Sequence, residues 1–243
     1  MSDDQSHRHQ ERRFTWRGGL DVAATLLMMI TAGVVIWHFV NTKSARVAAR
    51  PTVPLPTAPL ALDAAPTLGS PNASVAMLIF SDFECPFCAR FAAETMPALK
   101  RQYVDSGKVR FAFRHFPLSM HTRALRAAES AECAERQGRF WDMHDALFRP
   151  PVRLAEPELE SHAREVGLDL VAFRDCMAGA AAAHAEADSA MAKKLGLTAT
   201  PSVIVGVATK DGTVRATEVI VGVQPLQDFV KALEQALAKV RGL

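Results

Sequence analysis

The sequence predicts an α/β domain interrupted by a block of helices and preceded by a single transmembrane helix. Three observations carry that expectation. An apolar run at 75–80 leads into a cysteine pair and a helical pattern, and a second apolar run follows at 109–116, which together make a β-α-β unit. Residues 121–192 then lack any strand signal and are rich in Ala, Glu, Leu and Arg, the composition of helices. Near the N-terminus, 22–40 contains no Asp, Glu, Lys or Arg. A chain of 243 residues with 49% hydrophobic content can bury a sizeable core. Its net charge of +2 gives no electrostatic footprint for nucleic acid or for a polybasic membrane surface.

Residues 1–19 are polar, carry Arg8, Arg12, Arg13 and Arg17, and show no apolar face, so they read as a cytoplasmic tail. Residues 20–40 read as the transmembrane helix. The uncharged stretch spans about 28 Å as a helix, close to the roughly 30 Å hydrocarbon core. Trp16 and Trp37 sit near its ends, where indole rings favour the interface. The competing reading is a cleaved signal peptide ending at Val47-Ala48-Ala49. Its apolar core would be longer than usual, and Lys43 and Arg46 intrude before the site. Residues 41–58 contain Pro51, Pro54 and Pro56 and read as an extended, semi-rigid linker. The domain then runs over 59–243, with Leu60-Ala61-Leu62 as an edge strand.

Ser81 and Asp82 close the 75–80 strand and place Cys85 at a helix N-terminus. Unpaired backbone N–H groups and the helix dipole there favour a thiolate, the species that attacks disulfides. Pro86 fits the first helical turn, where its missing N–H is no loss. Cys88 lies one turn further along the same face, in reach of Cys85. Glu84 opposes ionisation, but an exposed charge pair is worth roughly 0.2–1 kcal/mol. A helix end with a C-x-x-C setting can lower a cysteine pKa from about 8.5 to about 3.5–7.5, so the helix end should win. The pattern therefore predicts Cys85 as an exposed nucleophile and Cys88 as its resolving partner. Half a zinc site is the alternative, and it lacks a second pair, since Cys133 and Cys176 stand singly and far apart. No metal and no cofactor is expected.

The helical pattern continues over 86–103, with Cys88, Ala92, Leu99 and Tyr103 near one stripe and Pro97 expected to kink it. The 109–116 strand should lie parallel to the first. Within the insertion, helices are expected at 121–137, 140–148, 157–166, 169–177 and 181–195, broken by Gly138, Arg149-Pro150-Pro151 and Gly167. Ala124, Ala127, Ala128 and Ala131 form a stripe, and Cys133 falls off it. Cys133 and Cys176 are then either a structural disulfide or two buried free thiols. Thr200-Pro201 precedes a β-branched strand at 202–207, and Lys210-Asp211-Gly212-Thr213 is a turn signal joining it to 218–221. An amphipathic helix over 225–240 closes the chain.

Three motifs carry a resemblance. The segment Leu68-Gly69-Ser70 through Phe80-Ser81-Asp82-Phe83-Glu84-Cys85-Pro86-Phe87-Cys88, the pair Ala131-Glu132-Cys133-Ala134 and Phe140-Trp141-Asp142-Met143-His144, and the loop Gly196-Leu197-Thr198-Ala199-Thr200-Pro201-Ser202 resemble the DsbA-like thiol-disulfide oxidoreductases of the thioredoxin superfamily, the membrane-anchored or secreted bacterial branch. The resemblance covers roughly 60–243. It implies a thioredoxin-like fold with an inserted helical subdomain at about 119–192 and disulfide exchange at the Cys85-Pro86-Phe87-Cys88 dithiol. It also implies a cis Pro201 packed against that pair, leaving the Thr200 backbone free to bind an extended substrate. Some members bridge the subdomain, which favours a Cys133–Cys176 disulfide.

The implied partners are unfolded exported proteins with cysteines and a DsbB-like or VKOR-like membrane redox partner, with the chain itself monomeric. Disulfide chemistry belongs on the oxidising side, so the catalytic domain is expected in the periplasm or its equivalent, on an inner-membrane anchor. The charge difference between the two flanks of 20–40 is too slight to decide this. Phe87 departs from the His that the strongest oxidases carry, which suggests a weaker oxidant. Two alternatives remain: a reductase, for example in cytochrome maturation, and a copper-delivery assembly factor with His115 or His121 as a further ligand, although each histidine reads more naturally as surface or packing.

Overall fold

In the computed structural model, residues 16–45, 53–62, 65–179 and 182–242 are described. They divide into two compact units, 1–50 and 51–243. In the first, α1 (Trp16–Ala45) is a helix of 30 residues. Its side chains are described for 24–38 and are exposed. Among the described residues no helix is long and apolar enough to cross a membrane. The ends of the 20–40 segment, the 1–15 part of the tail and 46–52 of the linker lie outside the described residues or side chains.

The second unit is built on a six-stranded sheet in the order β1-β6-β5-β3-β4-β2. β3 (Val75–Ser81) is its centre, and all seven residues are buried, as expected of an apolar run covered on both faces. It pairs in parallel with β4 (Val109–His115) and antiparallel with β5 (Ser202–Ala208). β5 continues antiparallel to β6 (Thr213–Val221) through the turn that the 210–213 signal predicts. β1 (Leu60–Ala61) forms one edge on β6. The other edge is β2 (Thr67–Leu68) on β4, a two-residue strand between Pro66 and Gly69 too short for any periodic signal.

Side chains of β3 alternate between the two cores. Val75, Met77 and Ile79 join Phe91, Leu99, Tyr103 and the closing helix α9 (Leu226–Arg241). Ala76, Leu78 and Phe80 face Leu60, Ala192 and Leu197. The helical run after the cysteines differs from the expected kink. α2 (Pro86–Arg90) passes through a π turn at Phe91–Thr95 into α3 (Met96–Leu99), and a second π turn covers Lys100–Val104. Pro97 has no N–H and its ring would crowd the carbonyl four residues back, so the ladder widens just before it.

The insertion contains α4 (Ala124–Glu135), α5 (Phe140–Leu147), α6 (Glu156–Glu165), α7 (Leu170–Ala178) and α8 (Ala182–Lys194). Gly138 and Gly167 sit at positive φ of 70° and 78° between them, where a side chain would be strained. α4 has no single apolar stripe. It is the central helix, packed on α5, α6, α7 and α8, so Glu129, Ser130, Glu132 and Cys133 are buried along with its alanines. Cys133 on α4 is joined to Cys176 on α7. Polar contacts hold α8 against β4. Asp188 accepts from Arg114 Nη1 at 2.8 Å and from the His115 N–H at 3.0 Å, while Glu132 Oε1 meets His115 Nε2 at 2.7 Å and His184 Nδ1 at 2.8 Å.

Candidate active site

The strand delivers the site. After β3 the chain turns at Asp82, and Phe83 anchors that turn by packing on Phe113 and Phe148, with ring centroids 5.4 and 4.8 Å away. Cys85 is the cap residue of α2 and Pro86 its first residue, so the Cys85 sulfur stands beside the free N–H groups of the first turn. Both cysteines are unbridged. Cys85 is only 4% exposed, against the open thiol that its helix-end position suggests, because the Thr200 carbonyl lies 3.5 Å from its sulfur. The Thr200-Pro201 bond is cis. The sequence signals at 85–88 and 200–201, 115 residues apart, thus meet in one site.

The two sulfurs are driven in opposite directions. Cys85 is lowered from 9.0 to about 5, chiefly because the Cys88 thiol donates to it. Burial resists this, while the Thr200 side chain and the N–H groups of Cys88 and Phe87 assist. The helix end therefore contributes, but the larger part comes from the second cysteine. Cys88 is raised well above 9.0, first by burial and then by the Cys85 thiolate it serves. The Asp82 N–H points at Cys88 Sγ from 3.5 Å.

Glu84 does not press on the thiolate as its place in the sequence suggests. Its carboxylate turns to accept from the Arg123 N–H at 2.6 Å, at the cap of α4. Phe87 is 56% exposed with the Arg90 guanidinium 5.8 Å from its ring centre. Asp82 is the residue whose importance the sequence conceals. Its buried carboxylate accepts from the N–H groups of Glu84 and Leu118, both at 2.8 Å, and from His121 Nδ1 at 2.7 Å. Two polar residues ending a strand give a helix-start signal, with nothing to show that a histidine 39 positions later closes on one of them.

His115, the other histidine considered as a ligand, is buried and bonded through Nε2 to the Glu132 carboxylate. Among the described residues no group of three or more His, Cys, Asp or Glu side chains is arranged to hold a metal ion. Chemically, the site offers an acidic thiolate, a neutral thiol one helical turn away and a backbone carbonyl beside the first sulfur, the parts needed to form, hold and resolve a disulfide.

Comparison with known proteins agrees with this geometry. The thioredoxin family model matches residues 62–219. The structure of alpha-DsbA1 from Wolbachia pipientis is 27% identical, with a TM-score of 0.63, over 74% of this chain and 94% of that one. A probable disulfide bond formation protein D of Bacillus anthracis is 27% identical over 131 residues, 54% of this chain and 56% of that protein. A Na(+)/H(+) antiporter NhaA 3 of Salinispora tropica is 40% identical over 111 residues, 45% of this chain. The chain spans only 16% of that antiporter's length. With the matched model covering β2 through most of β6 and the whole helical insertion, the chain belongs to the thioredoxin family, and among the solved structures it resembles is a DsbA-type protein.

Proposed function

We propose that the chain is a membrane-anchored protein thiol-disulfide oxidoreductase that oxidises cysteine pairs of exported proteins. The observation that carries this reading is the unbridged Cys85 and Cys88 pair at the start of α2, with the Thr200 carbonyl 3.5 Å from Cys85 Sγ. In the first step a substrate thiolate attacks Cys85 Sγ of the enzyme disulfide. The Cys85–Cys88 bond breaks, Cys88 leaves and takes up a proton, and a mixed disulfide forms. The substrate's second thiolate then attacks the substrate sulfur of that mixed disulfide, and Cys85 departs as a thiolate. Two electrons pass to the enzyme, the substrate gains one disulfide, and one proton is released overall because Cys85 stays ionised at pH 7.

That departing thiolate sets the direction. With a pKa of about 5, Cys85 at pH 7 favours the reduced enzyme by about 3 kcal/mol, on the order of 60 mV toward a more oxidising disulfide. The Thr200 backbone is positioned to receive an extended polypeptide in strand-addition fashion. A DsbB-like or VKOR-like membrane protein would return the dithiol to the disulfide, with residues 20–40 as the anchor and the domain on the extracytoplasmic side. The deciding experiment is Cys88→Ser in the full chain expressed in its membrane. Mixed disulfides through Cys85 should accumulate, visible on non-reducing gels and absent from Cys85→Ser. A Cys88→Ser protein that traps nothing would overturn the reading, and a wild-type potential near thioredoxin's, about −270 mV, would reverse its direction.

A further inference from the structure

Asp82 touches both cysteines through its backbone. Its carbonyl accepts from the Cys85 N–H at 3.1 Å and its N–H faces Cys88 Sγ at 3.5 Å. Its carboxylate is fully buried, and His121, with a side chain 18% exposed, is the one charged group bonded to it among the described residues. A bare carboxylate so placed would repel a thiolate on Cys85. An imidazolium bonded to it cancels that charge. Phe87 brings no cation of its own to the dithiol.

We propose that His121 is a positioning residue for the exchange reaction: as the cationic partner of Asp82 it neutralises the carboxylate behind the dithiol, and this pair, from outside the C-x-x-C motif, adjusts the thiolate preference that Cys88 and the helix end give Cys85. The inference rests on the oxidoreductase reading and names the group that tunes it. Several charged groups face the ring. Asp82 follows β3, Glu84 and Cys85 stand at the start of α2, and Glu186 and Lys193 of α8 line the same cavity of about 340 Å³ beside His121. Burial disfavours the charged ring, but the hydrogen bond and charge of Asp82, with Cys85 and Glu84 adding, raise its pKa above 6.5. Asp82 thus favours the charged form of the His121 ring.

The test titrates Cys85 in the full chain by thiolate absorbance at 240 nm and measures its equilibrium with glutathione. His121→Gln should raise the Cys85 midpoint, lowering the thiolate fraction in mildly acidic solution about tenfold, one pKa unit being a factor of ten. The glutathione equilibrium should move toward the enzyme disulfide in parallel. Asp82→Asn removes the negative charge instead and should lower the midpoint, while Asp82→Asn/His121→Gln should bring it back near wild type. A purely structural role for His121 would cost stability without this opposed pair of shifts. Should His121→Gln not fold, Asp82→Asn still decides, since an unchanged midpoint overturns the inference. Wild-type protein with an ordinary Cys85 and no exchange activity defeats the oxidoreductase reading itself; an acidic, active wild type whose midpoint ignores both substitutions defeats only the role of the pair.

Discussion

Phe87 occupies the position between the two cysteines that has most direct access to the thiolate, since its backbone N–H is one of the groups that lower Cys85. Its side chain points outward, 56% exposed, and contributes apolar surface where a histidine would contribute a hydrogen bond or a positive charge. Phe87→His should therefore make the disulfide more oxidising, by roughly 30 mV for each 1.4 kcal/mol of added thiolate stabilisation. Equilibration with glutathione measures this, and a potential that does not move would show that the dipeptide is not the lever in this chain. Cys85 and Cys88 stand out in the sequence because their spacing at a helix start is a local signal, whereas Thr200 and Pro201 enter only through the family resemblance, a proline at strand entry being as readily structural. The Asp82–His121 contact was not legible there, since a hydrogen bond between residues 39 apart leaves no trace in spacing. Nor was the closure of Thr200 over Cys85, which turns an expected open thiol into a buried one.

At the scale of elements, the hairpin that brings β6 beside β5 depends on one close approach. At the register shift between Val205 and Gly206, a Cβ on Gly206 would lie 2.4 Å from the Arg215 carbonyl oxygen and 2.5 Å from a Val214 methyl. The backbone oxygen cannot move without breaking the ladder. Gly206→Ala should cost about 1–3 kcal/mol or more, read as a lowered denaturation midpoint, and a wild-type midpoint would show that the bulge relaxes freely. β5 also carries the chain away from Pro201, so loosening the hairpin should weaken exchange as well as stability. The insertion helices were legible because their breaks are chemical: Gly138 and Gly167 take positive φ, and 149–151 holds two consecutive prolines. α4 was misread as one-sided because periodicity assumes a single partner surface. A helix enclosed by four others buries residues all round. β2 and the π turns at 91–95 and 100–104 escaped because their lengths fall below any pattern.

For the domain as a whole, the question is what holds the helical insertion to the sheet that carries the dithiol. One part is covalent but internal, since the Cys133–Cys176 bridge joins α4 to α7 within the insertion. Across to the sheet run the apolar packing on Phe113 of β4, the Arg114–Asp188 ion pair, and the polar contact between Glu132 of α4, His115 of β4 and His184 of α8. Glu132 is held at about 2 instead of 4.5: burial works against the carboxylate, but the hydrogen bonds and charges of His115 and His184 overcome it. A carboxyl lowered on folding stabilises the fold above its unfolded value and loses that contribution as pH falls from about 4.5 toward 2. His184 behaves oppositely. Its pKa is raised, first by the Glu132 hydrogen bond, so its contribution is complete below about 6.5 and fades as pH rises through the raised value. Both contributions are present together only between about pH 5 and 6, where the lowered Glu132 carboxyl should contribute on the order of 3 kcal/mol. Glu132→Gln keeps the shape and a hydrogen-bond acceptor while removing the charge. Urea denaturation from pH 3 to 8, with the disulfide intact, should show the wild-type advantage over this variant peaking near pH 5–6 and shrinking on both sides. A difference that is flat with pH would mean that packing, and not this charged pair, fastens the insertion to the sheet.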